Sequence, residues 1–144
     1  MSTTATTDLT PVQPSLALRI GLWIAQTLIF LLFGSAGLMK LLTPIPQLAA
    51  MIPWAGDHSE SFVRVMGLID LAGGIGILLP ALTRIMPGLT VLAALGCATL
   101  QCFAIVFHVS RGEAAVTPLN LVLLGLSLFV LWGRSRKAPV QPRS

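Results

Sequence analysis

The chain of 144 residues is 55% apolar and only 10% charged, with a formal net charge of +4 and a mean hydropathy of +0.88. A soluble domain carries roughly 25% charged residues, and a chain so poor in charge cannot cover its own surface against water. This excludes a soluble enzyme, a disulfide-built secreted scaffold and a disordered chain, and it points to lipid as the main solvent.

The Ser/Thr-rich start reads as a disordered polar tail, residues 1–17. Four apolar stretches of about 20 residues follow, each long enough to cross a bilayer. Ile20 to Met39 carries no charge, Val65 to Thr83 carries only Asp70, and Ile85 to Phe107 and Ala114 to Gly133 carry none. Continuous apolar runs favour helices over barrel strands, which alternate. The predicted fold is therefore an all-α integral membrane protein, a four-transmembrane-helix bundle over residues 18–134. A basic tail, 135–144, follows it. A secretory signal is the competing reading of the first run, with Gly34-Ser35-Ala36 as a cleavage triplet. That run is longer than a signal core, and only Arg19 precedes it.

Pro80, Arg84 and Pro87 mark the turn between the second and third spans. Thr117-Pro118 reads as an N-cap followed by proline at the first helical position. The connection Leu42 to Ser61 is broken by Pro44, Pro46 and Pro53. It reads either as a surface-lying connector, with Trp54 at the headgroup interface and a short helix over Leu48 to Ile52, or as a lid. Arg19, Arg84, Arg134, Arg136, Lys137 and Arg143 lie on the side of the termini, against Lys40, Arg64 and Arg111 on the other. Six against three predicts both termini in the cytoplasm and a multi-pass protein of the plasma (inner) membrane. The basic tail is an orientation and lipid signal, and no nucleic-acid module accompanies it.

Ionisable groups inside spans are functional-site candidates. Asp70 is the only acid in any span, and Gly67, Gly73 and Gly74 share its helical face, leaving a groove for a partner helix, water or a ligand. Cys97, Gln101, Ala104 and His108 form one face of the third span. Lys40 and Asn120 approach from the same outer rim. The candidate pocket thus comprises Lys40, Gly67, Asp70, Gly73, Gly74, Gln101, His108 and Asn120, with Asp70 and His108 as candidate catalytic groups. Duller readings stand beside these. Lys40 snorkels to the interface, His108 caps helix carbonyls, and Gln101 and Asn120 are interhelical glue. A lone carboxylate at that depth is costly, so Asp70 requires a partner, Lys40 first and His108 second. The inner half offers little polarity beyond Gln26 and Ser127.

Cys97 and Cys102 point about 140° apart on one helix and form neither a disulfide nor a C-x-x-C motif. No metal site, dinucleotide fingerprint or Ser-His-acid set is visible. A shift of fifty residues lays His58 on His108, Asp70 on Asn120 and Arg84 on Arg134. That is a faint duplication signal, short enough to arise by chance.

Gly37-Leu38-Met39-Lys40-Leu41, then Asp70 with Gly73-Gly74, Leu78-Leu79-Pro80, Thr83-Arg84 and His108 carry a resemblance over roughly Phe30 to Arg134. In this combination the chain resembles the DoxX-like family of small four-helix membrane proteins. The family acid is usually glutamate where Asp70 stands, one methylene longer. The resemblance implies an accessory component of a redox system, with a quinone-like, lipid-soluble ligand in the outer pocket and a membrane or soluble oxidoreductase as partner. Asp70 and His108 would then handle protons while Lys40 holds the acid. The alternatives are a non-catalytic partner or assembly factor for membrane proteins, and a small-solute transporter, for which the inner half looks too apolar. No haem, flavin or iron–sulfur ligand set is visible, so the chain is not expected to be an enzyme on its own.

Overall fold

The computed structural model describes residues 11–144. Most of the tail expected over 1–17 lies outside them. The helix α1, Leu16–Leu42, begins before residue 18, and Ser15, assigned to the tail, is its N-cap, accepting from the Leu18 N–H at 3.2 Å. Next come α2, Ile45–Met51, a 3₁₀ turn, Pro53–Gly56, and then α3, Glu60–Thr83, and α4, Gly88–Ser110. A second 3₁₀ turn, Ala114–Val116, leads into α5, Thr117–Trp132, which ends in a π turn, Gly133–Lys137. No strand occurs among the described residues. Four of these helical stretches are long and apolar enough to cross a membrane, so the protein is a multi-pass membrane bundle whose surroundings are a lipid bilayer.

The spans pack in a ring, α1 on α3, α3 on α4, α4 on α5 and α5 back on α1. One end carries the α1–α3 and α4–α5 connections (the loop end), and the other carries the start of α1, the C-terminal segment and the α3–α4 turn (the termini end). Between the helices Ala25, Ile29, Phe33, Ile77, Ala94, Cys97, Leu123 and Val130 form the core. Ile20, Ile24, Leu31, Leu68, Leu79, Leu92, Leu95 and Leu121 point outward and are exposed, as a lipid-facing surface requires.

Two joints differ from expectation. Pro80 lies inside α3 rather than in the turn. A membrane helix tolerates the missing N–H better than it tolerates an early end exposing a whole turn of backbone. The reversal is made instead by Arg84 and Met86, both left-handed at φ 58° and 48°. Thr117 is the first residue of α5 and not its cap, because the preceding 3₁₀ turn supplies the entry. Its Oγ1 is buried without a partner.

Candidate functional site

The glycines on the Asp70 face act before any side chain does. A Cβ on Gly37 would sit 2.7 Å from the Gly67 carbonyl oxygen, and one on Gly67 would sit 2.9 Å from the Lys40 Cβ. A Cβ on Gly74 would meet the Gly34 nitrogen at 3.1 Å. These residues let the backbones of α1 and α3 touch along the loop-end half of the bundle. Lys40 is thereby level with Gly67, three residues, or about 4.5 Å of rise, from Asp70. Its Nζ donates directly to Asp70 Oδ2 at 2.7 Å, and both side chains are 12% exposed. No bridging water is required.

A cleft of about 860 Å³ opens beside this pair. Leu32, Phe33 and Met39 of α1, Met66 of α3, Phe107 of α4 and Leu119 and Leu123 of α5 make its apolar wall. Lys40, Asp70, Gln101, His108, Glu113 and Asn120 contribute its polar groups. Gly67, Gly73 and Gly74, expected to line it, do not. Gly67 and Gly74 are closed against α1, and a Cβ on Gly73 would meet Cys97 Sγ at 3.0 Å. Gly73 borders a separate groove with Gly76, Ala93 and Cys97. The spacing that placed these glycines beside Asp70 was right, but helix packing took the space.

The α1–α3 connection lies over the cleft, with Met51, Ile52, Pro53 and Trp54 facing into it. Leu48, Trp54, Ala55 and Val63 form a second apolar cluster with Phe107 packed on it. Trp54 is therefore packed into the roof of the cleft. It meets His58, Phe62 and Phe107 edge-on, at 5.9, 6.3 and 6.0 Å between ring centroids. Arg64 anchors the connection. It pairs with Glu60 at 2.8 Å and donates to the carbonyls of Lys40 and Thr43, two acceptors that the end of α1 leaves open.

His108 does not contact Asp70. Its Nδ1 lies 2.7 Å from Glu113 Oε2, and Glu113 Oε1 accepts from Arg111 Nε at 2.8 Å. Arg111 also donates to Asp57, which joins the two loop-end connections. The Arg111 guanidinium, and then His108, hold Glu113 below the ordinary carboxylate value. Glu113 was missed as a site residue because the four residues between it and His108 reverse the direction of the chain. Only the fold brings them together.

The charged groups of the cleft are thus each taken up, Lys40 with Asp70, and Glu113 with Arg111 and the His108 ring. The groups left open are carboxamides: Gln101 Oε1 and Asn120 Nδ2 are buried with no hydrogen-bond partner. Together they offer one acceptor and one donor to whatever enters. Cys97, on the same helix face as Gln101, is buried behind the cleft, and Cys102 is exposed on another face; both thiols are free.

The opposite end is not as featureless as its sequence suggests. Gln26 is fully buried, donating to the Ile77 carbonyl at 2.7 Å and accepting from Arg134 Nε at 2.7 Å. Arg134, read as an orienting charge next to a basic tail, is itself buried. The tail is not free either. Ala138 is buried, and the Arg143 N–H donates to the Arg84 carbonyl at 2.9 Å.

Comparison with curated proteins and with solved structures returned no match. A family model does match, over residues 24–130, which include parts of all four membrane helices and the cleft between them. The chain belongs to the DoxX-like family.

Proposed function

We propose that the protein is an accessory component of a quinone-linked redox system in the plasma membrane, holding a lipid-soluble, quinone-like ligand in the loop-end cleft. The observation that carries this reading is the cleft's chemistry. Its walls are apolar, its carboxylates are already paired, Asp70 with Lys40 and Glu113 with Arg111, and Gln101 and Asn120 each leave a buried polar atom unpartnered. An uncharged head with carbonyl or hydroxyl groups and an apolar tail suits such a site better than any ion does. The Lys/Arg bias supports an orientation with the loop end outside and both termini in the cytoplasm. In this reading Asp70 and His108 exchange protons with the ligand through their pairs with Lys40 and Glu113, and a membrane or soluble oxidoreductase exchanges the electrons.

The closed ion pairs favour a second reading, a non-catalytic partner or assembly factor in which the same pairs only fix the bundle. Small-solute transport is the weaker third, because Ala25, Ile29, Ile77 and Val130 fill the bundle below the cleft. The test is a titration of the purified protein with a short-chain quinone and its quinol, followed by tryptophan fluorescence, beside analysis of co-purified lipids and proteins. Saturable quenching that weakens about tenfold in Gln101→Leu and Asn120→Leu supports the ligand reading. Absence of quenching, with a membrane protein recovered in constant ratio, favours the assembly factor.

A further inference from the structure

The termini end holds Arg19, Arg84, Arg134, Arg136, Lys137 and Arg143 and no Asp or Glu among the described residues. Five of these are exposed, as an interfacial basic patch ordinarily is. Arg134 is different. Its residue is 6% exposed, and its guanidinium lies 4.7 Å over the Trp23 ring. Nε is taken by Gln26 and Nη1 donates to the Ala138 carbonyl at 3.1 Å. Nη2 is buried with no partner. A guanidinium held by neutral acceptors and a ring face keeps its full charge uncompensated, which is expensive away from water.

The surroundings supply more positive charge instead of relieving it. Arg19, Trp23 and Gln26 stand at i, i+4 and i+7, on one face of α1. Arg134 meets that face at Trp23 and Gln26. Arg19 is thus the next cation along, one turn toward the headgroups. Close approach of α5 is built in, because Gly133 is buried directly against Leu22, where a Cβ would collide. The cover over the guanidinium is light. Beyond Lys137 the segment makes two backbone hydrogen bonds, Ala138 to Gly133 and Arg143 to Arg84.

We propose that Arg134 and Arg19, flanking Trp23, form a binding site for a phosphate group, supplied by the headgroup of an anionic phospholipid. The phosphate accepts from Nη2 of Arg134 and from Arg19, and the covering segment moves aside to admit it. A phosphate diester fits because it presents several oxygens to two guanidinium forks at headgroup depth, with its acyl chains left along the apolar flank of α1. The site is at the opposite end of the bundle from the cleft and is independent of what the cleft holds.

The experiment measures thermal stability and lipid retention of the full chain in neutral detergent. Phosphatidylglycerol, phosphatidylcholine and inorganic phosphate are added separately to the parent protein, Arg19→Gln, Arg134→Gln and the control Arg136→Gln. The expected result is a preference of about tenfold or more for phosphatidylglycerol over phosphatidylcholine. It is reduced below threefold in Arg19→Gln, an exposed change that leaves the fold intact, and in Arg134→Gln, but kept in Arg136→Gln. If inorganic phosphate protects equally, the site stands but the source is a free anion, and the lipid assignment is overturned. Equal protection by both lipids overturns the proposal, as does an equal loss of preference in all three variants, which marks a diffuse basic surface. Asp8 lies outside the described residues, and Asp8→Asn is expected to leave stability and lipid preference unchanged. A loss matching that of Arg134→Gln would give the guanidinium an internal counter-ion and overturn the site.

Discussion

The Lys40–Asp70 pair gives the sharpest test of the physical account. Asp70→Asn leaves the ammonium facing a neutral amide at a place where its side chain is 12% exposed. Lys40→Met leaves the carboxylate with no cation. Removing one member of a buried pair costs about 3–5 kcal/mol. The second variant has an escape, since a stranded carboxylate can take up a proton. From an ordinary pKa of about 3.9, doing so at pH 7 costs ~4 kcal/mol, which caps the penalty of Lys40→Met. The double variant loses the attraction together with the desolvation cost of both charges, and is expected within ~1–2 kcal/mol of the parent. On these figures the coupling is at least about 4 kcal/mol. At about 2–4 °C per kcal/mol for a chain of this size, each single variant melts on the order of 10 °C lower and the double recovers most of the loss. Thermal unfolding in detergent, followed by tryptophan fluorescence, reads all four proteins. Single effects that add within about 0.5 kcal/mol would show the residues to be uncoupled and Lys40 to be a snorkelling anchor.

Three further outcomes are expected. Gly37→Ala and Gly67→Ala force a Cβ into backbone or the Lys40 stem, costing about 1–3 kcal/mol in melting experiments, whereas Gly125→Ala, with open space around it, is near neutral. Glu113 is held below its ordinary value of 4.5 mainly by Arg111, so its contribution to stability is complete above about pH 4.5 and is lost as the pH falls through the lowered folded value. Glu113→Gln is expected to flatten that acid limb of the stability curve, and an unchanged limb would show the network to be idle. Reporter fusions after Ser144 are expected to be active only in the cytoplasm, given the Lys/Arg bias.

Hydropathy alone was enough to locate the four spans, because in lipid the backbone must satisfy itself and a long apolar run has no other solution than a helix. The need of Asp70 for a cation followed from the cost of a lone charge, and Lys40 was the only base ending α1. Asp70's glycine neighbours were legible as a small-residue face, but not whether a ligand or a helix would occupy it. That depended on α1 meeting α3 at Gly34 and Gly37, a property of two helices and not of one. The pairing of His108 with Glu113 and the packing of Trp54 into a roof were not legible, because connections between spans have no periodicity from which to read their partners. Arg134 shows the widest gap. In sequence it is one basic residue among several near the C-terminus, whereas in the fold Gly133 brings α5 against α1 and draws this one guanidinium inward onto Gln26 and Trp23. A charge count weighs every arginine alike, and burial, which sets the cost of each, exists only once the helices have packed.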